Sequence, residues 1–273
     1  MHPRYYPPTV DLRLPRPRGV SFALRRGGRD ETLVLCYHAV GDLAAGAFVL
    51  PQELDWQLGL LVKRGYRPAT FTSAVTGTAR GRVLAVSFDD GHASVLGKAF
   101  PIVAKHGLVG TVFPRLDALG HEGSLTVADL AFLLAEGWEV GSHTLTHPRL
   151  TTLSDAALRH ELTESKRELE RRLAVPCRSI AYPQGDADAR VIAAAVAAGY
   201  EAGAAVSGVP VEHGPFAWSR IGVHGREGRL LFRVRVSRLF RAVRSSTHVT
   251  RLIRAFAAWG VAVRALPGQR VQR

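Results

Sequence analysis

Two carboxylates side by side, Asp89-Asp90, and two imidazoles four residues apart, His143 and His147, are the side chains of this sequence whose types and spacing could do chemistry. Adjacent carboxylates are costly together unless a cation sits between them. Two histidines and one carboxylate form a three-ligand set for a zinc-like ion and leave positions for water and substrate, which hydrolysis requires. Such an ion lowers the pKa of water to ~7, after which a neighbouring carboxylate need only collect the proton. One aspartate of the pair can therefore be a ligand and the other a base. Taken singly the signals are weak, because Asp-Asp-Gly is usually a solvated turn and His-x-x-x-His is usually a surface pair on a helix. Their weight is joint: the run Val140-Gly-Ser-His-Thr-Leu-Thr-His-Pro148 is rich in small residues that let a loop fold tightly around a metal.

These residues need elements that bring them together, and apolar runs precede each of them. The strand candidates are Leu33 to Tyr37 before His38, Val83 to Phe88 before Asp89-Asp90, Val109 to Phe113, Trp138 to Gly141 before His143, Ser179 to Tyr182, and Ser219 to Val223 before His224. Helical faces lie between them, with Leu54, Leu58 and Leu61 on one and Leu158, Leu162, Leu169 and Leu173 on another. At Gly65, Gly107, Gly137 and Gly199 a helical stretch ends in glycine and passes at once to an apolar run, as expected where a left-handed cap hands a helix over to a strand. Repeated α/β units of this kind predict a closed or nearly closed parallel barrel, whose strand carboxyl ends converge on one face.

The formal charge of +13 sits at the ends of the chain. Residues 229–273 hold 11 arginines and no acidic residue, and residues 1–30 hold 7 arginines against Asp11 and Asp30, so 31–228 carries a net −3. A slightly acidic middle has no electrostatic reason to grip phosphate backbones, which argues against nucleic acid as a partner. Residues 1–30 read as a basic, Pro-rich extended arm, 31–228 as the catalytic barrel, and 229–273 as basic amphipathic helices suited to an anionic membrane surface. The opening residues lack the apolar run of a secretory signal, and Cys36 and Cys177 do not form a disulfide framework; the expectation is a reduced, cytoplasmic protein, peripheral at the inner face of the membrane. Both cysteines are expected to be small buried hydrophobes.

Three segments, Ser87-Phe-Asp-Asp-Gly91, Gly141-Ser-His-Thr-Leu-Thr-His-Pro148 and Ala181-Tyr-Pro-Gln-Gly185, resemble in order the first three motifs of the polysaccharide deacetylase family (NodB-like, carbohydrate esterase 4), over roughly 31–225. The resemblance implies a distorted (β/α)7 barrel, here with an Arg-rich helical C-terminal extension, and a divalent metal, usually Zn2+. It implies hydrolysis of N- or O-acetyl groups on sugars, with Asp89 as base and Asp90, His143 and His147 as metal ligands. The Leu35-Cys-Tyr-His38 opening is similar to that of members with a circularly permuted motif order, which makes His38 the acid, with His224 the alternative. Tyr182 and Gln184 fall where substrate and oxyanion are met, Gln184 through its backbone N–H. The sequence departs from the family in five places, the first being Gln184, which replaces an aromatic whose backbone amide helps hold the oxyanion. Arg178 lies too early for the arginine normally set beside the base, the Asp-Trp fourth motif is absent with only Trp218 nearby, His92 stands where an aromatic is common, and Pro114 follows Phe113.

The expected function is thus metal-dependent removal of acetyl groups from a polysaccharide or glycolipid precursor. Two alternatives stay open: hydrolysis of a non-sugar amide, favoured by the missing arginine, and a non-catalytic, membrane-associated binding protein on the same barrel.

Overall fold

A computed structural model describes residues 31–42, 47–206, 211–225, 227–238 and 240. The expected N-terminal arm and the C-terminal segment from 241 onward lie outside the described residues. In chain order the elements are β1 (Glu31–Tyr37), the paired short strands β2 (Ala39–Val40) and β3 (Phe48–Val49), α1 (Pro51–Lys63), β4 (Arg67–Pro68), α2 (Phe71–Val75), β5 (Arg82–Asp90), α3 (Phe100–Lys105), β6 (Gly110–Pro114), α4 (Val127–Ala135) and β7 (Glu139–Val140). They continue with α5 (Asp155–Leu173), β8 (Ser179–Ala181), α6 (Ala189–Ala197), β9 (Ala202–Val206), β10 (Trp218–Gly222) and α7 (Arg229–Arg235).

Seven parallel strands stand in the order β7-β6-β5-β1-β10-β9-β8, with β4 added to the start of β5. Just beyond β7, Ser142 bridges to Ile180 of β8, its N–H donating to the Ser179 carbonyl (2.9 Å) and its carbonyl accepting from the Ala181 N–H (2.8 Å). The two edges of the sheet thereby meet, and the expected barrel is found. Gly65, Gly107, Gly137 and Gly199, read as helix-to-strand handovers, all have positive φ (64–85°). The handover at Gly199 leads into β9, an Ala/Gly run absent from the strand candidates.

Strand alternation sorts the side chains into two layers. Outside the sheet, Leu33, Leu35 and Tyr37 of β1 and Leu84, Val86 and Phe88 of β5 pack in one core with Leu54, Leu58 and Leu61 of α1 and Leu158, Leu162 and Leu169 of α5. The opposite parity, Val34, Val83, Ala85, Ala181, Ala202 and Ala204, forms a separate cluster with Phe71, Phe113 and Val75. Small residues dominate there because a barrel of seven strands encloses little volume. The same parity continues through Cys36 on β1, through Ser87 and Asp89 on β5, and onto Arg220 on β10, so the chemistry-bearing residues complete the inner layer at one end. In the described part of the C-terminal segment, α7 buries Phe232 and Val236 against the outer layer. Among the described residues no helix is long and apolar enough to cross a membrane.

Candidate active site

β5 ends at the site. Its inward register brings Asp89 into the barrel interior, 3 % exposed, and the next residue adopts φ 66°, a left-handed turn that redirects the chain at Asp90. Gly91 follows with φ 72°, and a Cβ there would meet the Pro114 Cβ at 2.9 Å and Cα at 3.0 Å, so the close passage of this turn over β6 requires glycine. Among the described residues, four of the five non-glycine residues with positive φ, Asp90, Thr144, His147 and Gln184, belong to the three motif segments. Backbone held in this sparsely populated region collects where a site fixes its geometry.

The loop after β7 carries both expected histidines. His143 is buried, and its Nδ1 hydrogen-bonds the Ala181 carbonyl (2.7 Å), which makes Nδ1 the protonated nitrogen and leaves the Nε2 lone pair free. That Nε2 lies 3.7 Å from Asp90 Oδ1, and His147 Nε2 lies 3.8 Å from the same oxygen. These separations are too long for hydrogen bonds, while the three donor atoms all lie within 4.8 Å of one another, so a single cation between them could reach all three. Burial, opposed by Asp89 and the Ala181 hydrogen bond, holds the His143 pKa below its ordinary value, and a neutral imidazole is the ligand form. The donor set of Asp90, His143 and His147 is thus one that could hold a divalent metal.

What shapes this loop was not among the expected residues. Glu161, on the buried face of α5 between Leu158 and Leu162, accepts the N–H groups of Leu145 (2.9 Å) and Thr146 (3.2 Å) at one oxygen and the Thr146 hydroxyl (2.7 Å) at the other. The His147 N–H donates to Thr144 Oγ1 (3.0 Å), and the Thr144 N–H to Ser142 Oγ (3.1 Å), which in turn donates to Ser165 of α5 (2.9 Å). The signal for both α5 residues was a polar side chain inside an apolar helical stripe.

Asp89 is met by a second unexpected residue. Arg220 of β10, fully buried, forks onto it with Nη1–Oδ1 and Nη2–Oδ2 both at 2.7 Å, and also donates to Ser87 Oγ (3.1 Å). The arginine expected beside Asp89, read from the sequence as absent, is supplied from β10; Arg178 instead pairs with Glu201 at the surface. Burial alone would raise the Asp89 pKa. The Arg220 charge and hydrogen bonds, with His143 and His38, outweigh it and hold the carboxyl far below the usual carboxylate range.

Cys36 and His38 complete this pocket, each with a side-chain donor atom within 4.8 Å of an Asp89 oxygen. The Cys36 thiol donates to Asp89 Oδ2 (3.4 Å), so this cysteine is buried as expected but touches the site. Burial pushes its pKa well above the thiol range, and both Asp89 oxygens are engaged by a guanidinium, so these three residues do not form a second cation site. His38 Nδ1 is buried with no hydrogen-bond partner among the described residues. His224, the alternative acid, is exposed beyond β10.

The remaining candidates divide. Tyr182 is fully buried, its hydroxyl donating to the Phe216 carbonyl (2.8 Å) and its N–H to the Ala204 carbonyl (3.0 Å). Its expected place beside substrate or oxyanion is corrected: both donors are committed to backbone carbonyls, and the ring packs in the outer core. Gln184 is exposed at φ 58°, its side-chain oxygen accepting from Arg149 (3.0 Å). His92 packs edge-on to Phe48 with centroids 5.3 Å apart, and its Nδ1 pairs with Ser94 (2.8 Å).

Residues 76–203 match the family described as polysaccharide deacetylase. The Bacillus subtilis protein YxkH, which carries a provisional polysaccharide deacetylase name, is 25 % identical over 175 residues, 62 % of this chain; the match also spans 62 % of that relative, short of its full length. Among solved structures, a polysaccharide deacetylase from Bacillus cereus superposes with a TM-score of 0.65 at 25 % identity, over 75 % of this chain and 68 % of that one. The Streptococcus pyogenes deacetylase PplD, solved with acetate, shares the fold with a TM-score of 0.68 at 22 % identity over 74 % of this chain and 96 % of that one. The barrel, the match over 76–203 and these relatives together make the chain similar to polysaccharide deacetylases over the part that carries Asp89, Asp90, His143 and His147.

Proposed function

We propose that this protein is a metal-dependent hydrolase that removes acetyl groups from an N- or O-acetylated sugar of a polysaccharide or glycolipid precursor. The observation that carries the reading is the set of converging but unbridged donors Asp90, His143 and His147, next to an aspartate kept ionised by Arg220. Asp90, His143 and His147 would hold the metal, for which a two-histidine, one-carboxylate set suits Zn2+; when bound, the ion supplies Lewis acidity and a lowered water pKa.

The chain's own residues have distinct tasks. Asp89 enters the cycle ionised, as a base must, and collects a proton from water as the water oxygen bonds to the acetyl carbon. Arg220 keeps that carboxylate charged and fixes its plane through two parallel hydrogen bonds. His38, across the pocket from Asp89, returns a proton to the sugar nitrogen or oxygen as its bond to the acetyl carbon breaks, giving acetate and a free amine or alcohol. The Gln184 N–H is the candidate donor to the carbonyl oxygen. His38 is preferred to His224 because it shares the buried pocket of Asp89. The non-sugar amide reading loses its support, since it rested on a missing arginine that Arg220 provides. In this proposal the protein is cytoplasmic and peripheral at the inner face of the membrane, a location supported by the unbroken positive charge of 229–273.

The deciding experiment measures metal content and acetate release over a panel of acetylated sugars and glycolipids, for the intact protein and for Asp89→Asn and His143→Ala. Acetate release that requires both residues supports the reading. Stoichiometric metal without acetate refutes the substrate class, and absence of metal returns the chain to the binding-protein alternative.

A further inference from the structure

α7 buries one face and leaves the other bare. Phe232 and Val236, four residues apart, are buried, and Phe232 meets the Trp56 ring of α1 with centroids 5.9 Å apart. Diametrically opposite on the helix, Leu230, Leu231 and Val234 are 76 %, 53 % and 44 % exposed, three of the six large exposed apolar side chains among the described residues, collected on one seven-residue helix. Residues at i, i+1 and i+4 share an arc of about 100°, so these three form one patch. Arginines rim it. Arg229 and Arg233 stack over Trp56, their guanidinium carbons 4.9 and 5.3 Å from the ring centre, and Arg229, half exposed, also grips Glu53 (2.9 Å).

The patch has a definite place on the barrel. Arg229 opens α7 beside Glu53 in the first turn of α1, and α1 follows the carboxyl end of β1 after His38 and the β2–β3 pair. At the other end of the segment Arg238 reaches Glu31, the first residue of β1 (2.6 Å). The helix therefore runs from the catalytic end of the barrel toward its opposite end, and Leu230 and Leu231 lie at the end where Asp89, Asp90 and His38 open.

We propose that the outer face of α7, formed by Leu230, Leu231 and Val234 between arginines, docks on an anionic lipid surface with the open end of the barrel beside it. An apolar stripe flanked by arginines is the pattern that lies in a bilayer interface, where apolar burial and attraction to anionic headgroups add. Lipid is favoured over a protein partner by charge: the sequence from Arg229 onward has 11 arginines and no acidic residue, which complements a uniformly negative surface. The inference supplies a contact surface for the membrane location proposed above, and it stands or falls separately from acetyl hydrolysis.

The test is co-sedimentation of the full chain with phosphatidylcholine vesicles that contain or lack phosphatidylglycerol. Binding is expected only with the anionic lipid and is expected to fall at least about tenfold in about 1 M salt, where the Debye length shrinks to about 3 Å. Leu230→Glu/Leu231→Glu should weaken it by at least about tenfold, while acetate release from a soluble acetylated sugar stays unchanged. The milder pair Leu230→Ser/Leu231→Ser carries the test if the first loses its fold. Equal binding to neutral vesicles, undiminished binding of the leucine variants, or no vesicle binding with α7 engaged instead in self-association would each overturn the proposal. Because docking is read by sedimentation and catalysis by acetate, loss of one cannot be mistaken for loss of the other.

Discussion

Arg220→Met should unmask what the buried fork on Asp89 does. Arg220 and Asp89 are 1 % and 3 % exposed, so deleting the guanidinium leaves an ionised carboxylate in the barrel interior with Cys36 as its remaining hydrogen-bond donor among the described residues. Removing one partner of such a pair costs about 3–5 kcal/mol, which for a domain of this size lowers Tm by roughly 6–20 °C. The cost should depend on pH. In the wild type the folded Asp89 pKa is depressed, so its contribution is present above the unfolded value of about 4 and is lost as pH falls below it. In the variant the desolvation that Arg220 had outweighed should raise the folded pKa above the unfolded one, so stability is lost as pH rises from about 4. The gap between the two proteins should therefore widen from pH ~3 to pH 7. Urea unfolding in EDTA, followed by circular dichroism across that range, measures it, with Asp89→Asn and the double variant completing a cycle. The double variant should recover much of the loss, because a pair replaced together leaves no buried charge. A gap under about 1 kcal/mol, or one independent of pH, would refute the assignment of Arg220 as the counter-charge of Asp89.

Three further outcomes follow from the same geometry. Glu161→Ala should loosen the His147 loop and weaken metal retention by about 10–100-fold in a chelator competition, with Glu161→Gln intermediate because its remaining carbonyl oxygen still accepts; equal retention in all three proteins would remove Glu161 from any role at the site. His38→Ala should lower kcat by about 10²–10⁴ while His224→Ala leaves it near wild type, and the reverse order would transfer the acid to His224. Gly91→Ala should cost about 1–3 kcal/mol in thermal unfolding, from a positive φ and the Pro114 contact together, and a neutral substitution would show that the turn relaxes freely.

The residues legible in the sequence were those whose meaning is local. His143 and His147 share one short loop, Asp89-Asp90-Gly91 ends one apolar strand, and the convergence of strand ends in a barrel brings them together without knowledge of any long contact. The handover glycines were legible for the same reason, since a left-handed cap depends only on its own helix. Arg220 was not. It is separated from Asp89 by 131 residues, and what betrays it is parity: a cation two positions after Trp218, in a strand whose alternate residues turn inward. Tyr182 was misread because the acceptors for its hydroxyl and N–H, Phe216 and Ala204, come from segments whose proximity only the closed sheet reveals. β9 escaped because Ala202–Val206 has almost none of the branched residues that mark strands. It stands as a strand because Ala202 and Ala204 are what the narrow interior admits, while on the outward side a Cβ on Gly203 would run into the Tyr182 hydroxyl.

Where the residues point explains why the site is divided. The interior parity of β1, β5 and β10 delivers Cys36, Asp89 and Arg220 to a dry pocket, where a carboxylate persists as an anion only because a guanidinium is locked onto it. The left-handed turn at Asp90 takes the next carboxylate out of that pocket, to a residue side chain 40 % exposed, where it meets imidazoles presented by a loop moulded on Glu161. Strand alternation alone would send Asp90 to the outer layer; the backbone reversal instead keeps both aspartates at the barrel mouth in two electrostatic environments, one neutralised internally by an arginine and the other with three donors converging on a common centre. A substitution that prevented the reversal would turn Asp90 toward the outer layer, on the side of Phe88 and away from His143 and His147, and the converging donor set would not survive it.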